Sequence, residues 1–186
     1  YGSPIDCADL FSRVEALPYQ PVLEALEKEK DWDSPEGWVD AVNARPIGPN
    51  VASLLGHSDV RSHVMGLDRS TTGESPTRDE RERMEGCLND ALEAGFVGMS
   101  TMTNLWDKLA GDRYRSRSLP STYSSWREYG WMHRILRNAG RVLQSAPNLN
   151  TKINIADECP GAVSGDNIGF TGTKDRKTCL TCTRLE

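Results

Sequence analysis

The sequence predicts an α/β fold built from parallel strand–helix repeats and followed by an irregular C-terminal tail. Two segments with good helix signals are each followed by a glycine and then by a short apolar run. A third apolar run, over residues 51–55, precedes both of these units. Helices that alternate with short buried strands are typical of a parallel sheet covered on both faces. We therefore expect a functional site at the carboxyl ends of the strands, where such sheets bind ligands.

The N-terminal part of the chain is predicted to be helical. Apolar residues recur at helical spacing over residues 8–17 and again over residues 22–30, with prolines between the two segments. A third helix is indicated by Ser34 as an N-cap, with Pro35 in the first turn, and it should end before Pro46. The first strand is then expected over residues 51–55.

Gly56 ends this first strand, and His57 follows directly. Asp59 and His63 lie one helical turn apart, which favours a solvated surface pair over a site. Residues 67–76 are rich in Ser, Thr and Gly and are therefore predicted to form a loop.

The second unit contains the clearest helix in the sequence. Thr77 and Glu80 form a predicted capping box at its start, and Gly95 has the position of a left-handed C-cap. The next strand is expected over residues 96–101, followed by a polar loop over residues 104–121. Five residues make one apolar stripe along this helix: Met84, Cys87, Leu88, Ala91 and Leu92.

The third unit repeats the same pattern. Ser125 and Glu128 are predicted to form a capping box, Gly140 to end the helix, and residues 141–145 to form a strand. His133 lies in the middle of this helix, where a packing or surface role is favoured over metal binding. From residue 156 onward frequent glycines interrupt any periodicity, so no helix or strand is predicted there.

Composition limits the classes of function. The 186 residues correspond to one domain or part of one, because a closed (β/α) barrel typically needs about 250. A net charge of −5 and a pI near 5.3 do not attract nucleic acid or an anionic membrane. No apolar run approaches the length of about 20 residues that spans a bilayer, and no leader segment is recognisable. We therefore expect a cytoplasmic protein with a small-molecule partner.

Five cysteines, an odd number spread unevenly, favour free thiols in a reducing compartment over a disulfide framework. Cys87 belongs to the apolar stripe and should lie in the core. Cys179 and Cys182 have the spacing of half a zinc site, and Cys159 brings the number of cysteines to only three. Free thiols are therefore favoured, with a zinc-stabilised C-terminal interaction module as the alternative.

Polar residues at the predicted strand ends are the functional candidates. The simpler interpretation is that they cap helices or hold loops, because polar residues at strand ends often do so. The functional interpretation makes them the lining of a ligand site. The candidates are His57 and Asp59 after the first strand, Ser100, Thr101 and Asn104 after the second, and Gln144 and Ser145 on the third.

Two segments carry a resemblance to a known family. Residues 50–57 contain an Asn-Val-x-x-Leu-x-Gly-His element, and residues 94–100 contain an Ala-Gly-x-x-Gly-x-Ser element. In this order they resemble the N-acyl-D-amino-acid deacylase (D-aminoacylase) branch of the amidohydrolase superfamily, and the resemblance covers roughly residues 1–155. It implies that the repeats are part of a TIM-barrel-like (β/α) barrel that hydrolyses the amide of N-acyl-D-amino acids. It also implies zinc, which activates the attacking water.

The metal ligands that the resemblance implies do not carry over to this sequence. The family's metal cysteine would fall near the start of the chain in a Cys-Gly context, where this sequence has Tyr1-Gly2. The first ligand histidine would fall at about Ala146, and the second histidine and the catalytic aspartate belong to strands beyond Ile155. No metal ligand and no catalytic residue is therefore assigned in this chain.

The sequence as a whole predicts two parts. Residues 1–155 are a partial amidohydrolase-like barrel segment, expected to be inactive as this chain. Residues 156–186 are an irregular tail unrelated to the family, as a truncation or a frame change would produce. A noncatalytic ligand-binding or scaffold domain derived from the same fold is the alternative function. Uncovered barrel edges would also favour self-association.

For the deacylase interpretation, four residues are predicted to line the substrate site without binding metal: His57, Ser100, Thr101 and Asn104.

Overall fold

The computed structural model describes residues 1–146, together with 163–164 and 167–168. A 3-10 helix, Pro120–Tyr123, precedes the last α-helix. The α-helices are α1 (Pro4–Phe11), α2 (Tyr19–Glu29), α3 (Pro35–Asn43), α4 (His57–Met65), α5 (Leu67–Ser70), α6 (Arg78–Glu93) and α7 (Trp126–Asn138). The strands are β1 (Leu54–Gly56), β2 (Gly98–Met102), β3 (Val142–Ala146), β4 (Val163–Ser164) and β5 (Asn167–Ile168).

The first three strands form a parallel sheet in which neighbours in sequence are neighbours in space, in the order β1-β2-β3. Leu55, Met99 and Leu143 lie side by side in the register, and all three are buried. Helices connect successive strands, as parallel pairing requires. The predicted α/β arrangement with parallel strands is therefore confirmed.

One hydrophobic core joins this sheet to α6 and α7. The predicted apolar stripe of α6 is buried along its whole length, including Cys87, and it packs in the same cluster as the central row of the sheet. From α7 the cluster receives Tyr129, Met132 and Leu136, which recur at helical spacing. The two helices and the three strands therefore share one buried core.

The helix ends follow the predicted caps. In α6 the Glu80 amide donates to Thr77 Oγ1 at 3.2 Å, and the Thr77 amide donates to the Glu80 carboxylate at 2.9 Å, so the capping box is confirmed. Gly95 has φ +102° and Gly140 has φ +62°, the left-handed conformation that glycine adopts without strain. Both predicted C-caps are therefore confirmed.

Several predicted boundaries are wrong. The first helix begins at Pro4, where the Ser3 side chain accepts from the Asp6 amide, and it ends at Phe11 instead of continuing to residue 17. The first strand covers Leu54–Gly56, three residues later than predicted at its start, and Val51 is 52% exposed. A short apolar run alone does not show which of its residues pair with a neighbouring strand.

The predicted loop over residues 67–76 is also partly wrong, since α5 occupies its first four residues. Leu67 is buried in a second hydrophobic cluster with Leu109 and Leu119, and this packing stabilises a helical turn in a polar segment. The preceding helix α4 was not predicted at its full length, because it is buried on several sides and has no single apolar face.

The loop between β2 and α7 is anchored on both sides by arginines. Arg113 donates to Asp9 and Asp6 of α1, both at 2.7 Å, and Arg117 donates to Asp68 of α5 at 3.0 Å. Leu109 and Leu119 of the second cluster come from the same loop. The loop therefore holds α1 and α5 together beside the strand ends.

His133 lies on the buried side of α7, which agrees with the predicted packing role. Its Nε2 atom is buried and has no hydrogen-bond partner among the described residues. Burial, and to a smaller extent the charge of Arg137, lowers the pKa of His133 below its usual value. The folded chain therefore binds a proton here less readily than the unfolded chain, whose histidine has a pKa of about 6.5.

We expect this histidine to make stability depend on pH. Below about pH 6.5 the unfolded state binds more protons, so the contribution of neutral His133 is present at higher pH and is lost as the pH falls. His133→Leu should therefore differ from wild type by less than about 1 kcal/mol at pH 7.5 and become relatively more stable at pH 5.5. Urea denaturation at both pH values measures this, and parallel pH curves for the two proteins would contradict it.

Part of the chain after the sheet is also described. No helix or strand was predicted there, but β4 and β5 form a two-residue antiparallel pair, with Val163 opposite Ile168. Cys159, Cys179 and Cys182 lie outside the described residues, so the C-terminal zinc hypothesis is not tested. Among the described helices, none combines the length and apolar character needed to cross a bilayer.

Candidate functional site

A cleft of about 370 Å³ opens at the carboxyl ends of the three parallel strands. This is the predicted location for a ligand site, and the volume is at the lower end of the range for small-molecule pockets. The strands and the start of α4 contribute its polar floor, and the segment around the end of α1 contributes an apolar wall. The lining residues are Leu10, Phe11, Val14, Glu15, Gly56, His57, Ser58, Asp59, Ser100, Thr101, Met102, Leu119, Ser121 and Gln144.

His57 is the first residue of α4, directly after β1, and its side chain is fully buried in the wall of the cleft. Nδ1 lies 3.0 Å from Thr101 Oγ1, and Nε2 lies 2.7 Å from a Glu128 carboxylate oxygen. A carboxylate only accepts, so Nε2 carries a proton and donates. Both ring nitrogens thus have protein partners, and binding to a ligand through either one would break a hydrogen bond.

Glu128 is the centre of a buried charged network. One carboxylate oxygen accepts from His57 and, at 3.1 Å, from Ser124 Oγ, and the other accepts from Arg61. Arg61 is fully buried and also donates to the Glu74 carbonyl oxygen at 3.2 Å. Charged groups away from water require such partners, because an unpaired buried charge costs several kcal/mol.

The electrostatics of Glu128 result from opposing effects. Burial raises the pKa of the carboxyl, but the hydrogen bonds and positive charge of His57 and Arg61 outweigh burial and lower the pKa to about 2. The carboxylate is therefore ionised at neutral pH. Asp59, which lines the cleft itself, shows the opposite result, since burial raises its pKa above the usual value.

Hydroxyl groups extend the network along the floor of the cleft. Thr101 Oγ1 lies 3.4 Å from Tyr129 Oη, which donates to the Ser121 carbonyl oxygen at 2.6 Å. Ser121 Oγ in turn donates to the Met102 carbonyl oxygen at 2.6 Å and lies 2.7 Å from Ser58 Oγ. These contacts connect the end of β2 and the start of α4 to the 3-10 helix, so the shape of the cleft is held by several elements.

The structure brings three of the four predicted substrate-site residues to the cleft. Ser100 and Thr101 line it from the end of β2, and His57 lines it from the start of α4 with a fully buried side chain. Asn104 is not among the lining residues, because its side-chain oxygen accepts from the Trp106 amide at 3.1 Å within its own loop. Gln144, a weaker candidate from the third strand, also lines the cleft.

Sequence reasoning missed Glu128 as a site residue. Its position three residues after Ser125 predicted a capping box, and the Glu128 amide does donate to Ser125 Oγ at 3.3 Å. The carboxylate, however, leaves the helix terminus and contacts His57 and Arg61 instead. No local signal distinguishes this arrangement from an ordinary cap, since both partners are more than 60 residues away in sequence.

The described residues do not by themselves supply a metal centre. Within residues 1–146, no group of three or more His, Cys, Asp or Glu side chains lies close enough together to hold a metal ion. His57 has both ring nitrogens occupied by protein partners, and Cys7 has a raised pKa because it is buried, which disfavours the thiolate that binds zinc. These residues therefore do not fit the zinc site that the resemblance implies.

Comparison with known proteins finds long relatives without a named activity. The chain is 50% identical over 155 residues to uncharacterized proteins of Mycobacterium tuberculosis and Mycobacterium bovis. The matched part is 83% of this chain and 25% of each relative, so the chain spans about a quarter of the length of these curated relatives. No known family profile matches the chain, and no solved structure matches it.

A shorter match connects the chain to an enzyme. It is 39% identical over 66 residues to an N-acyl-D-aspartate deacylase of Alcaligenes xylosoxydans, which is 36% of this chain and 12% of the deacylase. This partial similarity agrees with the resemblance inferred from the motifs and supports a relation to amidohydrolases at most.

Proposed function

We propose that this chain is a segment of an amidohydrolase-like enzyme that hydrolyses the amide of N-acyl-D-amino acids. The observation that carries the proposal is the cleft at the carboxyl ends of three consecutive parallel strands, where Ser100, Thr101 and Gln144 present polar groups. The motif resemblance and the short match to a deacylase point to the same chemistry. In a complete (β/α) barrel this edge of the sheet is where the active site lies.

The proposal assigns the described residues to binding and positioning. Hydroxyl and amide groups of the cleft floor can hydrogen-bond an amide substrate, and the Glu128 network holds the strand ends in place. Zinc, which the resemblance implies, would polarise the amide and activate water, but the described residues do not form its site. We therefore propose that the ligands come from other parts of a longer protein and that this chain alone is inactive.

A segment exchange tests the proposal. The 155 matched residues of the Mycobacterium tuberculosis relative would be replaced by the corresponding residues of this chain, and hydrolysis of N-acetyl-D-amino acids would be measured with added zinc. We expect turnover by the exchanged protein and by the unaltered relative, and none by the isolated chain. N-acetyl-L-amino acids serve as the matched control and should be hydrolysed far more slowly.

The result would also separate the two candidate functions. An unaltered relative inert towards every N-acyl amino acid would overturn the deacylase proposal. An active relative whose exchanged version folds but shows no turnover would favour the alternative, a noncatalytic ligand-binding or scaffold domain. One observation supports this alternative. The described residues form a cleft, but no group of His, Cys, Asp or Glu side chains among them could hold a metal ion.

The uncovered edges of the sheet carry a proposal of their own. β1 pairs on one side with β2, and β3 also pairs with β2 alone among the described strands. Unpaired strand edges bind other strands, so we propose that the isolated chain self-associates in solution, most plainly at high concentration. A cytoplasmic location remains part of the proposal and can be checked by cell fractionation.

A further inference from the structure

We infer that the cleft at the strand ends binds an uncharged aliphatic acyl group longer than acetyl. This inference rests on the proposed function and specifies which part of an N-acyl-D-amino acid the described residues contact. It is carried by three observations, namely an apolar wall, polar groups that line the same cleft and the absence of an unpaired cation from the described lining.

The apolar wall comes from the end of α1 and the turn after it. Leu10, Phe11 and Val14 line the cleft with helical spacing, and Met102 and Leu119 line it as well. Leu10, Val14, Met102 and Leu119 also belong to the second hydrophobic cluster, so the wall is held by packing behind it. A firm apolar surface that faces a cleft favours a flexible apolar ligand, because burial removes ligand surface from water.

Phe11 is the part of this wall that the protein leaves uncovered. Its side chain is 48% exposed, and the polar residues Ser100, Thr101 and Gln144 line the same cleft. An acyl group on the wall would bring its amide to these hydroxyl and amide groups. The arrangement of apolar and polar surfaces therefore matches an acyl chain joined to an amide.

The charged groups of the cleft do not favour an anionic group at this position. The lining contains neither a lysine nor an arginine among the described residues, and its His57 is held by Glu128. Of the two lining carboxylates, Asp59 is paired with the N-terminal ammonium group of Tyr1 at 3.2 Å, and Glu15 adds a negative charge. A ligand carboxylate would lose water in the cleft without meeting an unpaired cation, which is unfavourable. We therefore place the free carboxylate of an N-acyl amino acid outside the cleft and its acyl end inside.

A second cleft of about 610 Å³ provides an internal comparison. It lies between the turn after α1 and the loop that precedes the 3-10 helix, and it contacts none of the strand ends. Its lining includes Arg13 and Arg115 and lacks an apolar wall of comparable extent. Leu17, which is 45% exposed, lines this second cleft, so it matches Phe11 in exposure but not in position.

Calorimetric titration of the isolated chain tests the inference. The probes are N-octanoyl-D-alanine, N-acetyl-D-alanine and octanoate, all below their micelle concentrations. We expect N-octanoyl-D-alanine to bind at least about tenfold more tightly than N-acetyl-D-alanine, because six further methylenes leave water. Octanoate should bind more weakly than N-octanoyl-D-alanine, since its carboxylate would enter a cleft whose described lining has no unpaired cation. Octanoate binding as tightly would identify a fatty-acid site and overturn the inference.

Two matched variants locate the binding. Phe11→Ser should lower the affinity for N-octanoyl-D-alanine about tenfold and leave the affinity for N-acetyl-D-alanine unchanged, while Leu17→Ser should change neither. Both side chains are about half exposed, so neither substitution should prevent folding. Equal affinity for the two acyl lengths, or no binding of either, would overturn the inference. The deacylase proposal is judged separately, by turnover in the segment exchange.

Discussion

Replacing Gly98 by alanine is expected to destabilise the chain by about 3 kcal/mol or more, a large part of the 5–15 kcal/mol that typically holds a domain together. Gly98 begins β2 and pairs with Val142 of β3. A Cβ atom at this position would lie 1.8 Å from the Val142 carbonyl oxygen and within 3 Å of two further backbone atoms of Val142. Backbone atoms cannot rotate away, so the two strands would have to separate.

Gly86→Ala is the control, and we expect it to increase stability where Gly98→Ala decreases it. Gly86 lies within α6, and a Cβ atom there meets no other atom within 4 Å. Gly86→Ala should stabilise the chain by about 0.5–1 kcal/mol, because alanine loses less backbone entropy in a helix. Urea denaturation measures both changes. A Gly98→Ala variant as stable as wild type would show that β2 and β3 do not approach as closely as the structure has them.

The second large effect is expected at Glu128. Glu128→Gln removes the carboxylate that compensates the buried charge of Arg61, and within the described residues Arg61 forms no other ion pair. Removal of one partner from a buried ion pair typically costs about 3–5 kcal/mol. We expect a loss of this size in urea denaturation at pH 7, because the amide NH2 group that replaces one carboxylate oxygen cannot accept from Arg61 or His57.

Glu82→Gln is the matched control for this change. Glu82 pairs with Arg78 at 3.0 Å on the exposed surface of α6, where such pairs contribute at most about 1 kcal/mol. The double variant Arg61→Met, Glu128→Leu should recover part of the loss, because a buried pair can be replaced by apolar side chains of similar volume. A Glu128→Gln variant no less stable than Glu82→Gln would mean that the buried network contributes nothing to folding.

The stability that the Arg61–Glu128 pair contributes should fall at low pH. The folded pKa of Glu128 is about 2, below the usual glutamate value, so its stabilisation is present above about pH 4.5 and is lost as the pH falls towards 2. Wild type should therefore lose stability in this range more steeply than Glu128→Gln. The pH range is lower than that expected for His133, so the two contributions can be measured separately.

In the proposed function Glu128, Arg61 and His57 stabilise the structure around the cleft and do not bind the substrate. His57 lines the cleft, but both of its ring nitrogens are held by Thr101 and Glu128. Ser100 and Gln144 also line the cleft. Changes at Glu128 should consequently alter folding and the shape of the cleft together. Changes at Phe11 should alter ligand binding alone.

The sequence by itself determined the elements whose signals are local. The apolar stripe of α6, its capping box at Thr77 and Glu80, and the glycines at Gly95 and Gly140 each act within a few turns of the chain. These signals were sufficient to predict the units α6–β2 and α7–β3 and hence a parallel sheet. They do not depend on what else packs nearby, which is why they can be recognised in one sequence.

Only the tertiary structure decided how distant residues meet at the site. Glu128 lies 71 residues from His57 and 67 from Arg61, and its carboxylate joins them instead of completing the cap that its position predicted. Leu10 and Phe11 form a cleft wall because the loop between β2 and α7 packs against α1. A local pattern specifies the face of a helix that is buried. Which side chain packs against that face depends on residues that are distant in the sequence, so a local pattern cannot identify it.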